Sequence, residues 1–372
     1  MGDGGVGGLD GPGAAEAAGV RHPHPEPPAE GAATEVAEGV LWMRLPLPMA
    51  LDHVNVYALD DGDGWTVVDT GVDSRRSRAI WEALLAGPLG GRPVRRVLLT
   101  HHHPDHVGLA GWFAARGARI AASRTSWLLA RMLVLDVQAV PDAPTLAYWR
   151  AAGMADDVLE ARRAGRPFNF ADMVHPIPLG FERVEDDEPF AAGGRDWMVR
   201  YGGGHAPDHL TLWSMADDLA IVGDQILPGI SPNIGVYATE PGADPLADWL
   251  ESCEALMQVA QPRHLALPGH RLPFTGVPMR LAQLIDNHMG ALDRLKGWLT
   301  EPRTAAGCFA PLFRRPIGEG EYGLALVEAV AHLNHLLELG QVLREEVDGV
   351  WRWSLAPAPR ALRAGDSAAA AG

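Results

Sequence analysis

Val97-Leu98-Leu99-Thr100-His101-His102-His103-Pro104-Asp105-His106 decides how this chain is read. An apolar run with the character of a buried strand ends in a turn that offers the imidazoles of His101, His103 and His106 and the carboxylate of Asp105. Imidazole nitrogen and carboxylate oxygen are the donors taken by zinc and, in similar sites, by iron, manganese or cobalt. Side chains alternate along a strand, so His101 and His103 project to the same side. Asp105 and His106 lie past Pro104 and can turn toward a second point, which suits two metals better than one. A polar surface loop with chance histidines is the competing reading. The ligand density of this non-repetitive segment weighs against it.

Working outward, three further segments end on candidate ligands: Gly202-Gly203-Gly204-His205-Ala206-Pro207-Asp208-His209, Ile221-Val222-Gly223-Asp224, and Leu265-Ala266-Leu267-Pro268-Gly269-His270. Each is a short strand or glycine-rich turn, and α/β proteins commonly place their chemistry at such strand ends.

This set resembles the metallo-β-lactamase superfamily of hydrolases. Val68-Asp69-Thr70-Gly71 is similar to the family's first motif, and His101-x-His103-x-Asp105-His106 matches its second. His205, Asp224 and His270 match the third, fourth and fifth in order. One departure is visible: the third motif often reads Gly-His-Thr-Pro-Gly-His, and here it reads Gly-His-Ala-Pro-Asp-His, with Asp208 in place of a glycine. The resemblance implies that His101, His103 and His205 hold one divalent ion, that Asp105, His106 and His270 hold a second, and that Asp224 bridges them. Zinc is the expected metal, with iron or manganese as the other choices. It further implies a hydrolase that uses a metal-bound hydroxide on a small ester, thioester or lactone, since a metal lowers the pKa of water from about 15.7 to about 7. Asp105 and Asp224 then belong to the reacting centre, while His209 can hydrogen-bond a ligand or protonate a leaving group, with packing behind the ligands the favoured reading. Asp69 is expected behind the ligands, fixing an imidazole, and His102 is expected to face away. Two alternatives stay open: a metal-dependent (ribo)nuclease of the same superfamily, and a mononuclear iron sulfur dioxygenase, which shares the second motif. The di-iron oxygen reductases of the family carry a glutamate where His103 stands.

Composition narrows the classes. Among 372 residues, 47% are hydrophobic, enough for a normal core, and the formal net charge is −16. An acidic surface repels phosphate backbones, so a nucleic-acid partner is disfavoured and a small-molecule substrate expected. No apolar run reaches the length of a membrane span, and no basic-then-apolar leader is visible at the start, which together suggest a cytoplasmic protein. The two cysteines, Cys253 and Cys308, read as buried thiols rather than a disulfide.

The expected architecture is α/β: a metallo-β-lactamase αββα sandwich over residues 36–300, with a helical insert near 125–175, and a small winged-helix-like domain over 301–356. The segments 1–35 and 357–372 are poor in large apolar side chains and are expected to be disordered, with His22 and His24 in the first. The insert carries Tyr148, Trp149, Phe168 and Phe170, which either line an apolar substrate pocket or pack the insert onto the sheet. Leu324 to Leu339 reads as an amphipathic helix followed by Gly340 and a short hairpin, a winged-helix layout suited to packing or to homodimer formation more than to DNA. His332 and His335 are expected at a surface or interface, His264 in a structural role, and His288 close enough to approach the site. The loop Ser231-Pro232-Asn233 is expected to help build the pocket.

Overall fold

The computed structural model describes residues 19–49 and 51–357. The expectations for residues 1–18 and 358–372 lie outside the described residues.

Two sheets form the middle of the molecule. The first runs in the order β1 (Thr34–Ala37), β2 (Val40–Pro46), β3 (His53–Asp60), β4 (Trp65–Val68), β5 (Val94–Leu98), β6 (Arg119–Ala122) and β7 (Glu182–Arg183). It is antiparallel through β4 and parallel beyond. The helices α1 (Arg75–Ala86), α2 (Pro104–Val107) and α3 (Ala110–Ala114) provide its connections, and the insert adds α4 (Arg124–Leu135), α5 (Ala143–Ala151) and α6 (Asp156–Ala164). The second sheet comprises β8 (Pro189–Ala192), β9 (Arg195–Gly202), β10 (His209–Ser214), β11 (Leu219–Gly223) and β12 (Leu265–Pro268), with only the β11–β12 pair parallel. The helices α7 (Pro245–Met257) and α8 (Val277–Trp298) cover its outer face. After them come α9 (Phe309–Phe313), α10 (Tyr322–Glu338) and the hairpin β13 (Val342–Val347) and β14 (Val350–Leu355).

Period-two patterning explains the four layers. On β3, Tyr57 and Leu59 join Trp197, Val199, Leu212 and Ile221 between the sheets, while Val54, Val56 and Ala58 face outward onto Ile80, Trp81 and Leu84 of α1. On β11, Leu219 and Ile221 point inward, and Ala220 and Val222 point outward to Trp249 and Leu284. α1 starts where the Ser74 side chain accepts a hydrogen bond from the Ser77 amide, which caps one of the free donors of its first turn. The two sheets are also clasped directly. The Asn55 amide donates to the Gly269 carbonyl at 2.6 Å, and Asn55 Nδ2 and the Tyr57 hydroxyl donate to the Pro268 carbonyl at 2.9 and 2.7 Å.

Two sequence expectations change here, and a third, left open, is divided. Composition assigns the stretch from Gly19 to Thr34 to a disordered segment, yet Val20 is buried, Arg21 pairs with Thr275, and β1 already begins at Thr34. Backbone pairing with a distant residue, which composition does not report, holds it in place. The helix expected to be amphipathic, α10, is buried along Ala325 to Leu336, because apolar side chains occur on every side of it. That burial leaves no free recognition face. The aromatic residues of the insert divide between two locations. Tyr148 packs edge-on to Trp351 of β14 and donates its hydroxyl to the Val236 carbonyl at 2.5 Å, whereas Phe168 and Phe170 lie together beside the histidine turn.

Candidate metal centre

The histidine turn follows β5, His205 lies in the turn between β9 and β10, and Asp224 and His270 come directly after β11 and close after β12. Strands of both sheets therefore deliver their ends to one place. His101, His103 and His205 offer ligand atoms that lie within 4.8 Å of one another, and so do Asp105, His106 and His270. A third grouping, His101, His106 and Asp224, joins the two. Asp224 Oδ2 lies 3.4 Å from His106 Nε2, 3.7 Å from His205 Nε2 and 3.2 Å from His270 Nε2. Asp105 Oδ2 lies 3.3 Å from His270 Nε2 and 3.6 Å from His106 Nε2. His101 Nε2 and His103 Nδ1 approach to 2.9 Å. Every residue expected as a ligand is thus brought into one cluster.

Four of the imidazoles are aimed by a contact on the far nitrogen. His106 Nδ1 lies 2.8 Å from Asp69 Oδ2, His205 Nδ1 donates to the Asn233 carbonyl at 2.8 Å, and His270 Nδ1 donates to the His53 carbonyl at 2.7 Å. His101 Nδ1 faces the Thr100 hydroxyl at 3.0 Å. Such contacts fix the tautomer and direct the other nitrogen inward. Asp69 also accepts from the Thr100 amide and hydroxyl at 2.8 and 2.7 Å. It adopts a left-handed φ of 58°, a conformation that aspartate tolerates better than most residues. Asp208 has a φ of 50°. The residue that replaces the family's usual glycine in the third motif therefore keeps a glycine-like backbone.

The inward atoms His106 Nε2, His205 Nε2, His270 Nε2 and Asp224 Oδ1 are buried with no hydrogen-bond partner. The three nitrogens meet the Asp224 carboxylate only at 3.2 to 3.7 Å without a well-formed hydrogen bond, which is costly, and a cation would satisfy all of them. Gly269 gives the same indication: a Cβ there would stand 2.1 Å from Asp224 Oδ1 and 2.8 Å from His106 Cε1. The donor set, the convergence and the missing Cβ all fit bound divalent ions.

Burial, followed by the neighbouring imidazoles, holds His101 and His103 well below the ordinary histidine range. Burial pushes His106 and His270 the same way, but the carboxylates overcome it. Asp224, Asp105 and Asp69 raise His106 well above the ordinary range, and Asp224 with Asp105 raises His270 to about 9. Burial opposes ionisation of Asp224, yet His270 and His106 draw it well below the carboxylate range. The carboxylates and the two raised imidazoles thus favour each other's charged forms, so positive charge is held beside Asp105 and Asp224.

His209 does not occupy the place expected of a proton donor. It is fully buried, its ring stacks on His101 at 4.6 Å, and its Nε2 accepts the Asp224 amide at 3.1 Å. Burial, then the neighbouring His205, pushes it down to about 3, so it stays neutral and its Nε2 holds the Asp224 amide. His102 turns away from the cluster and lies parallel to Phe170 at 6.4 Å. His264 packs against Trp213. His288 is outside the cluster, where it contacts His332 and Trp249. His332 and His335 are buried at the internal contact of α10, with His335 on Asp244. His22 faces the Pro273 carbonyl, and neither His22 nor His24 joins a metal-binding grouping among the described residues. Cys253 and Cys308 are free, buried thiols. The sequence reading missed the carbonyls of His53 and Asn233 and the hydroxyl of Thr100. Backbone acceptors leave no residue-type signal, and only Thr100, adjacent to His101, was locatable by position.

A two-sheet sandwich with helices on both outer faces, carrying paired histidine–aspartate clusters at its strand ends, defines a class of metal-site proteins. The chain belongs to the metallo-beta-lactamase superfamily, whose model matches residues 49–270, and residues 292–356 match the metallo-beta-lactamase-like C-terminal domain. A probable metallo-hydrolase of Bacillus subtilis (strain 168) is 27% identical over 308 residues, covering 80% of this chain and 92% of the relative. Among solved structures, a beta-lactamase domain protein from Burkholderia ambifaria is 36% identical with a TM-score of 0.83, covering 91% of this chain and 98% of its own. A metallo-beta-lactamase family protein from Thermus thermophilus is 29% identical with a TM-score of 0.71, covering 86% of this chain and 100% of its own.

Proposed function

We propose that this protein is a metallo-hydrolase that holds two divalent cations and acts on a small ester, thioester or lactone. The observation that carries the reading is the meeting of seven imidazole and carboxylate side chains, several of whose inward atoms lack other partners. His101, His103 and His205 would hold one ion, Asp105, His106 and His270 the other, and the two oxygens of Asp224 would serve both. Bound divalent cations would supply water activation near neutral pH and polarisation of a carbonyl oxygen. The chain itself supplies orientation and charge. Asp69 and the His53 and Asn233 carbonyls keep three imidazoles pointing inward, Asp105 and Asp224 balance cationic charge, and His209 anchors the Asp224 backbone. Phe170, parallel to His102, and Phe168, 5.8 Å from Phe170, offer an apolar wall beside the histidine turn for the acyl part of a substrate. The net charge of −16 favours a small-molecule partner over a polyanion. Among the described residues, no helix is long and apolar enough to cross a membrane.

The test is a panel of acyl thioesters, esters, lactones and phosphodiesters, assayed with zinc-loaded, chelator-treated and Asp224→Ala protein. Acyl hydrolysis should fall on the order of a thousandfold in the last two and return on adding zinc to the chelated wild type. Turnover that survives Asp224→Ala, or activity confined to phosphodiesters, would overturn the reading.

A further inference from the structure

We infer that Glu328, in the C-terminal domain, is a positioning residue for His205, acting through Asn233. The inference rests on the metal reading above for its consequence but not for its geometry. The segment from Ile230 to Ile234 is buried and has no regular secondary structure, so its polar groups must find partners within the protein. α10 supplies them. Asn233 Nδ2 donates to Glu328 Oε2 at 2.7 Å and to the Leu324 carbonyl at 3.3 Å, and the Val236 amide donates to the Val327 carbonyl at 3.1 Å. The same Asn233 presents its own carbonyl to His205 Nδ1 at 2.8 Å. Glu328 is fully buried, with the Asn233 amide on its carboxylate. A carboxyl group in such surroundings is expensive without a hydrogen-bonding role. Contact is close along the whole segment: a Cβ on Gly235 would stand 2.8 Å from Val327 Cγ2. The C-terminal domain therefore sets the tautomer and aim of one imidazole in the centre, so the site is not the product of the two sheets alone.

The test uses the full chain with Glu328→Ala and Glu328→Gln, the latter retaining an oxygen acceptor for Asn233. In cation-free protein, ring nitrogen-15 shifts should report His205 as the Nδ1–H tautomer in the wild type and in Glu328→Gln, and as a mixture in Glu328→Ala. In zinc titrations against a competing chelator, Glu328→Ala should weaken one of two binding steps roughly tenfold to a hundredfold. The other step should stay within about threefold, and Glu328→Gln should behave as wild type. If Glu328→Ala does not fold, Asn233→Ala gives the same two readings, since it retains the main-chain carbonyl and loses only the tie to α10. An unchanged tautomer and affinity in the alanine variant, equal weakening of both steps, or a glutamine variant as impaired as the alanine would overturn the inference. A wild type that takes up no zinc would instead refute the metal reading, and the tautomer measurement would still decide the role of Glu328.

Discussion

The two sheets contribute to the centre in different ways. The first delivers His101, His103, Asp105 and His106 within a single turn, and Asp69 and Thr100, from the ends of its own strands β4 and β5, orient that turn. The second delivers His205, Asp224 and His270 singly, and much of their support comes from elsewhere: His53 from the first sheet, and Asn233 backed by Glu328 of α10. Only Asp224 is held from within its own sheet, by His209. One half of the centre takes most of its orienting contacts from its own sheet, with His209 and the Leu210 amide of the second sheet adding to them, and the other depends on contacts from other elements. Damage remote from the site should therefore reach the second half first.

The sharpest way to break that contrast is to disturb both halves together. Gly269→Ala would force a Cβ against Asp224 Oδ1 and His106 Cε1. Zinc titration should show affinity down on the order of a hundredfold or more, with far-UV circular dichroism retained. Near-normal binding would mean that the backbone at Gly269 yields more readily than its position between the sheets implies.

A smaller effect should arise behind the second half, in the α8–α10 contact at the C-terminal domain. His288 Nδ1 and His332 Nε2 lie 3.1 Å apart in a buried stack, with Asp244 on His335 nearby. Burial, then the neighbouring His332, pushes His288 well down, and burial pushes His332 to about 4. The unfolded chain binds these protons near pH 6.5 and the folded one does not. Stability is therefore complete above that pH and is lost as pH falls toward 4, by about 3 kcal/mol for His332 alone. Urea melts of chelator-treated protein from pH 7 to 4 should show this slope, and His332→Gln should flatten it relative to wild type. Equal slopes in the two proteins would remove the pair from the account.

The least severe change tests the first half. Asp69→Ala strips His106 Nδ1 and the Thr100 amide of their acceptor. Zinc affinity should drop roughly tenfold to a hundredfold in the step that involves His106, while the His205 tautomer stays as in the wild type. A shift at His205 would show that the halves are coupled through the first sheet after all.

The same contrast explains what the sequence made legible. His101 to His106 stand out because the ligands are close in sequence and distinctive in chemistry. His205, Asp224 and His270 are legible because each follows a strand or glycine turn in the order the family resemblance requires. The period-two alternation of β3 and β11 places the sandwich. What escapes a sequence reading depends on contacts between distant parts of the chain: the Arg21–Thr275 pairing that orders the chain ahead of β1, the burial of α10, and the carbonyls of His53 and Asn233. His209 is singled out by its motif, but its role depends on the Asp224 amide that it meets. A residue type cannot reveal a partner of that kind.

The clasp of Asn55 and Tyr57 onto the carbonyls of Pro268 and Gly269 has a consequence for catalytic breadth. Three hydrogen bonds beside His270, one between main chains and two from side chains, tie the two sheets together at the edge of the centre and resist their separation there. On the proposed acyl-hydrolase reading, tolerance for bulkier substrates is expected to arise in the wall around Phe168 and Phe170, while the tied strands stay constant. Selection for new substrates in the laboratory should accordingly accumulate replacements in that wall and spare the stitched strands.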